Sequence, residues 1–241
     1  MANIENYVEP ARLYRYRSVS SDEQLERELN AIETSELWFS SFDKMNDPME
    51  GSYRPSTMHK EHPKYDVVMD LLFNQKMSIG ICSLSETCNN EIMWAHYADQ
   101  FKGICIEYST RRLLGAFPEN VDLVRLHYSE SEQRISSRIP EADRTAKKLL
   151  SSKNFKWLYE REWRLLSPSP GANHMRIDNC VTCVFLGSRI EKAKKDQIVR
   201  TLGRLNIACK EMKISGYSIK FGEVTPIRRP LKRVKALADA I

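Results

Sequence analysis

Two periods of apolar spacing alternate along the chain, and together they sort it into elements. Leu25, Leu29 and Ile32 recur three and four apart behind Ser20 and Ser21, which predicts a capped helix over residues 22–32. Helical patterns are also expected over residues 64–75, from Asn89 or Asn90 to 99, over 140–151 and over 192–205. Short runs rich in β-branched and aromatic residues lie between them. They predict strands over residues 13–17, 37–39, 78–85, 103–108, 121–128, 160–166 and 180–186, with two more before Pro226. Asn46-Asp-Pro48 predicts a turn, because Asn and Asp bond the local backbone and Pro fixes φ. Residues 51–62 read as loop. Strands and helices intermix without strict alternation. The expected fold is therefore α+β, with mixed, largely antiparallel sheets and flanking helices. No linker divides the chain, so residues 1–241 are expected to form one domain.

Composition adds limits. With 241 residues, 41% hydrophobic and 29% charged, the chain can bury a core without covalent staples. No run of eighteen apolar residues could span a bilayer, and the N-terminal segment carries Glu5 and Glu9 without an apolar stretch. The six cysteines form no dense framework and read as buried thiols of a cytoplasmic protein. Cys180-Val-Thr-Cys183 has zinc-like spacing but no second pair, only His174 nearby, and poor geometry on a strand, so no metal is expected. The net charge of +5 is uneven: residues 189–235 hold 14 Lys and Arg against 4 Asp and Glu. That basic C-terminal third could meet a polyanion such as nucleic acid, or it could be a solvated lysine-rich helix face.

Four segments could carry chemistry. In Leu13-Tyr-Arg-Tyr-Arg17, strand alternation puts Tyr14 and Tyr16 on one face and Arg15 and Arg17 on the other, where two guanidiniums about 7 Å apart could clamp a diphosphate. In Met45-Asn-Asp-Pro-Met-Glu50, Asn46 and Asp47 are either ligand contacts or turn formers. Ser83 and Ser85 end a buried strand, and Met93-Trp-Ala-His-Tyr-Ala98 follows on a helix, where Trp94, His96 and Tyr97 are either site residues or an aromatic core stripe. In Tyr159-Glu-Arg-Glu-Trp-Arg164, a strand would align Glu160, Glu162 and Arg164 on one face. Two carboxylates there repel unless a cation sits between them, which suits stabilising a developing positive charge and orienting a nucleophile. A solvated sheet face over Trp163 and Leu165 is the plain alternative.

Taken in order, these segments, with Leu37-Trp-Phe-Ser-Ser41, Gly103-Ile-Cys-Ile-Glu-Tyr108 and Lys156-Trp-Leu-Tyr, resemble a bacterial family known only as a domain of unknown function and related to abortive-infection proteins of phage defence. The likeness covers about residues 11–190. The motif order is also distantly similar to ADP-ribosyltransferases, which carry an Arg or His on a first strand, a Ser or Tyr on a later one, and a late Glu-x-Glu. Ser83-Leu-Ser85 departs from their usual Ser-Thr-Ser, and Asn46-Asp-Pro48 has no counterpart.

That likeness implies an NAD-using ADP-ribosyltransferase or NAD glycohydrolase in phage defence or a toxin-type system. Arg15 would hold the pyrophosphate, Tyr14, Tyr16 or Tyr97 would stack on nicotinamide, and Glu162 would stabilise the oxocarbenium-like state. Glu160 would position the acceptor, with Ser83 or Ser85 holding Glu162. A non-catalytic nucleotide or nucleic-acid sensor is the second expectation, and a metal-free nuclease using His96 with Glu162 is the third. Convergence of Arg15, Ser83 and Glu162 on one cleft would favour the first.

Overall fold

The computed structural model describes residues 8–135, 141–171 and 176–224. The fold is α+β. Twelve strands and seven helices follow one another among these residues. In chain order the first half runs β1 (Arg12–Arg17), α1 (Asp22–Glu33), β2 (Tyr53–Pro55), α2 (Thr57–Lys60), α3 (Tyr65–Ser78), β3 (Gly80–Ser85), α4 (Glu91–Tyr97), β4 (Ile104–Ser109) and α5 (Thr110–Ala116). Then come β5 (Asp122–Arg125), β6 (His127–Ser129), β7 (Gln133–Ile135), α6 (Ala142–Leu150), β8 (Ser152–Asn154), β9 (Glu162–Ser167), β10 (Val181–Leu186), α7 (Lys192–Leu205), β11 (Ala208–Ser215) and β12 (Ser218–Glu223).

Eight strands make one sheet in the order β12-β11-β10-β4-β1-β3-β9-β5. Its neighbours are antiparallel except β10 and β11, which α7 connects. Strand alternation sends side chains to two different cores. Leu13, Leu84, Ile106, Trp163, Leu165 and Val184 pack with α1 and α7 on one face. Tyr16, Trp94, Cys105 and Phe185 pack together on the other, beside a cluster of Ile81, Leu166 and Leu72 with α6.

The sheet opens at one place. β1 pairs with β4 over six residues, but with β3 only where Tyr14 meets Ser85. Further along β3, Ile81 instead exchanges two backbone hydrogen bonds with Ser40, each 2.8 Å. This accounts for a difference from the expected strand over residues 37–39. Glu36, Phe39 and Ser40 each bridge a different partner, so no ladder propagates. Residues 51–62 hold β2 and α2 rather than plain loop, and the run over 121–128 is divided between β5 and β6, which join different sheets.

The largest difference concerns Glu160. It does not lie on β9 but ends a 3-10 turn, Phe155–Glu160, capped where the Asn154 side chain accepts from the Lys156 N–H. Arg161 then adopts φ 46°, reversing the chain before β9 begins at Glu162. A reading by strand alternation cannot see that left-handed step.

Gly103 enters β4 where backbone segments approach closely: a Cβ there would stand 2.3 Å from the Arg17 carbonyl oxygen and 2.9 Å from Ala98 backbone atoms. We expect Gly103→Ala to cost about 1–3 kcal/mol through overpacking, read as a lower urea midpoint at unchanged slope. An unaltered midpoint would show that β1 and β4 can separate without penalty.

Candidate functional site

Buried charge organises one end of β9. Arg164, next but one to Glu162 on that strand, faces away from Trp163 and Leu165 and has no exposed side-chain surface. Its Nε donates to Glu162 Oε1 at 2.7 Å, Nη1 to the Leu150 carbonyl at 2.7 Å, and Nη2 to Glu50 Oε2 at 2.6 Å. Lys153 arrives from β8, which β6 holds in parallel register with Tyr128 opposite Lys153. Its Nζ lies 2.5 Å from Glu160 Oε2, 3.1 Å from Glu162 Oε2 and 3.1 Å from Glu50 Oε1. The last contact is ionic only, since Glu50 Oε1 accepts no hydrogen bond among the described residues. All five side chains are at most 5% exposed.

Three carboxylates therefore share two cations. Fully ionised, the cluster carries one excess negative charge in a place poorly screened by water. The two late glutamates divide that burden unequally. Burial pushes Glu162 up, but Arg164, Lys153 and a hydrogen bond from Ser83 outweigh it and bring its pKa down to about 2. Burial also pushes Glu160 up; Lys153 opposes this, Glu162 adds to it, and the result is a raised pKa. Burial alone would lower Lys153, but its three carboxylates hold it above the ordinary lysine range.

Tyr97, at the end of α4, donates its hydroxyl to Glu160 Oε1 at 2.5 Å and accepts from Asn46 Nδ2 at 3.1 Å. Asn90 caps α4 by accepting from the Ile92 and Met93 N–H groups, and its own Nδ2 donates to the Tyr159 carbonyl at 3.0 Å. The helix that carries Tyr97 is thereby tied to the turn that carries Glu160. Ser85 donates to the Glu160 carbonyl at 2.7 Å, and the Tyr128 hydroxyl accepts from the Glu162 N–H at 2.8 Å.

A cavity of about 230 Å³ opens above this cluster, on the face of the sheet where β1 and β3 part. Tyr14, Tyr16, Asn46, Glu50, Ser83, Ser85, Tyr97, Lys153, Glu160 and Glu162 all line it, as do Arg15 and Arg17. Arg15, Ser83 and Glu162 thus border one cavity, although the Arg15 guanidinium donates to the Trp38 carbonyl at 3.2 Å and Arg17 pairs with Glu28. These two arginines and Ser40 also line a second cavity, among residues of the α1 face.

Other residues singled out from the sequence have structural employment. Asp47 is buried, and its carboxylate accepts from the Met49 N–H at 2.9 Å, forming the turn. Trp94 is fully buried, its Nε1 donates to the Cys88 carbonyl, and its ring meets Tyr16 edge-on at 5.3 Å; it is core. His96 is exposed and lies outside the cavity lining. Arg164 lies beneath the cavity, holding Glu162 and Glu50, rather than at its surface. Cys180 and Cys183 are free thiols that pack in different cores. His174 lies outside the described residues, as does the part of the basic third beyond residue 224. Within the described part, Lys195, Arg204 and Lys210 are engaged by Glu211, Glu33 and Glu223.

Two members of the cluster escaped the sequence reading. Glu50 closes the Met45–Glu50 motif and could have been suspected as the acid of that turn. Lys153 sits in Ser152-Lys-Asn154, a polar stretch indistinguishable from a surface loop until β6 and β8 pair.

The comparison with known families falls on this site. Residues 93–165 match the family model described as Protein of unknown function (DUF2971). That segment carries Tyr97, Lys153, Glu160, Glu162 and Arg164, while Tyr14, Glu50, Ser83 and Ser85 reach the cavity from outside it. No curated protein matches the chain, and no solved structure does. No helix among the described residues is long and apolar enough to cross a membrane.

Removing Arg164 would leave Glu50 and Glu162 short of a buried partner. We expect Arg164→Leu to destabilise by about 3–5 kcal/mol, measured by urea unfolding; a loss near zero would mean that water reaches the cluster. Acid should act through Glu162. Its pKa is lowered on folding, so its stabilisation is present above the ordinary 4.5 and lost as pH falls through that value toward about 2. Glu160 works in the opposite sense: its raised pKa favours folding at low pH, a contribution lost as pH rises through the folded value. Urea midpoints should fall between about pH 5 and about pH 3, and the fall should shrink in Glu162→Gln.

Proposed function

We propose that this chain cleaves the N-glycosidic bond of a nucleotide bearing a cationic base, with NAD as substrate, and passes the ADP-ribosyl group to water or to an acceptor. The observation that supports this reading is the carboxylate pair. Glu160 and Glu162 share Lys153 at the floor of a cavity lined by tyrosines, yet their surroundings push their proton affinities apart. Pairs separated in this way divide the work of glycosidic cleavage into a permanent anion and a proton acceptor.

In this mechanism the C1′–N bond breaks and its electron pair goes to the pyridinium nitrogen, leaving nicotinamide neutral. Glu162 remains ionised and stabilises the positive charge that grows on the ribose, an effect worth about 3–4 kcal/mol for one well-placed group. Glu160, the stronger base, takes the proton of the attacking hydroxyl as the new C1′–O bond forms. Tyr97 aligns the Glu160 carboxylate, Ser83 supports Glu162, and Tyr14 offers a ring for nicotinamide to stack on. Arg164 and Lys153 are positioning residues. A role in phage defence or a toxin-type system of the bacterial cytoplasm is part of this proposal, supported by the resemblance of the sequence motifs to abortive-infection proteins.

A second reading rests on a different fact. Both Glu162 oxygens already accept from Arg164 or Lys153, which leaves less capacity to bind a ribose hydroxyl than an open carboxylate has. A non-catalytic nucleotide sensor, with nucleic acid as a further partner of the basic third, accommodates that.

Release of free nicotinamide from NAD separates the two. We expect wild type to release it and Glu160→Gln to lower the rate about 10²–10³-fold. The wild-type rate should rise with pH through the raised Glu160 pKa and then level off, and Tyr97→Phe should move that inflection. Glu162→Gln should abolish release, but it also disturbs the buried ion pairs, so its fold must be verified by circular dichroism. Absence of release by wild type, even with cell extract supplying acceptors, would leave the sensor reading.

A further inference from the structure

The second cavity, of about 480 Å³, lies among α1-face residues and takes its charge from a different set of side chains. Arg15 and Arg17 project from β1 beside Leu13, away from Tyr14 and Tyr16. Arg27, Glu28, Asn30 and Ile32 come from α1, and Trp38, Tyr108 and Ile177 complete much of the wall. The helix is well anchored: Ser21 caps it by accepting from the Gln24 N–H, and Leu25, Leu29 and Ile32 are buried against the sheet.

Two guanidiniums meet one carboxylate here, and a third lies in the same cavity wall. Arg17 Nη2 reaches Glu28 Oε1 at 2.5 Å, and Arg27 reaches the same oxygen from Nη2 at 3.2 Å and Nε at 3.3 Å. Arg15 spends an N–H on the Trp38 carbonyl. The Nε of Arg17 is buried and has no hydrogen-bond partner among the described residues. A buried guanidinium N–H without an acceptor is unfavourable, the more so when it is charged, and one acid shared by Arg17 and Arg27 leaves donors on both unanswered. Glu36 also lines the cavity, and no ion pair joins it to any of the three. Counting it, the cavity still carries one excess positive charge.

We propose that this cavity is a binding site for a phosphoryl group, a phosphomonoester or diphosphate, held by Arg17, Arg27 and Arg15. Guanidinium forks match the geometry of phosphate oxygens and supply several parallel N–H donors. The unpartnered Arg17 Nε receives an acceptor, and the excess positive charge is neutralised. Glu28 keeps the Arg17 and Arg27 guanidiniums together and competes with the ligand for them. The proposal does not depend on the glycosidic reading, since no residue of the Glu160–Glu162 cluster takes part, although Arg15 is the arginine expected from the sequence to hold the NAD pyrophosphate. The phosphoryl group could belong to the nucleotide in the neighbouring cavity, which Arg15 and Arg17 also border, or to a separate phosphorylated ligand.

Titration calorimetry with inorganic pyrophosphate at low salt tests it. Wild type should bind, and Arg27→Gln should weaken binding at least tenfold; Arg27 is the most exposed of the Glu28 partners, so the fold survives its loss. Arg17→Gln should weaken binding further. Lys220→Gln, on the exposed strand of the basic third, should bind as wild type does and thereby exclude a general attraction of polyanions. No binding by wild type, or wild-type affinity in Arg27→Gln and Arg17→Gln, would overturn the site. Competition between pyrophosphate and NAD would assign the phosphoryl group to the nucleotide; independent binding would assign it to a separate ligand.

Discussion

Arg164 is sealed from water, and everything at the end of β9 is arranged to make that tolerable. A guanidinium in a core is stable only if every direction in which it donates is answered. Glu162 answers from the same strand, the Leu150 carbonyl from the end of α6, and Glu50 from the turn after Asn46-Asp-Pro48. Three distant pieces of chain must therefore meet at one point. Lys153 then becomes necessary, because two carboxylates cannot sit beside a third without a second cation.

The same requirement shapes the cavity. Glu160 reaches Lys153 only because the chain reverses at Arg161, and that reversal also brings Glu160 under Tyr97. The opening between β1 and β3 leaves the cluster with a floor and walls but an incomplete roof. A charged group that faces a cavity rather than a packed core retains freedom to exchange a proton or meet a ligand. Buried charges pay a desolvation cost without equal return in stability, which is one reason to look for function where five of them gather.

The opening has a consequence on the other face. Since β1 alternates, the strand that presents Tyr14 and Tyr16 to the carboxylate cavity presents Arg15 and Arg17 to the α1 side. One strand thus joins an acidic region to a basic one through the thickness of the sheet. Both arginines border the carboxylate cavity too, but Arg15 donates to the Trp38 carbonyl and Arg17 to Glu28 rather than to Glu160 or Glu162.

Much of this was legible in the sequence. The period of apolar residues identified α1, α7 and the central strands, and residue type narrowed the caps to Ser20 or Ser21 and Asn89 or Asn90, of which Ser21 and Asn90 cap, because these depend on interactions within a few residues. Strand alternation also told that Arg15 and Tyr14 face opposite ways. Lys153, the roles of Glu50 and Arg164, and the displacement of Glu160 from β9 were beyond it. A lysine in a polar stretch looks the same whether it meets water or three carboxylates, and only the pairing of β6 with β8 decides which. His96 and Trp94 lay within one motif, yet the packing of α4 turned one outward and the other into the core. Local chemistry determined the elements; long-range contacts alone determined which charges share a dielectric, and hence where the candidate site lies.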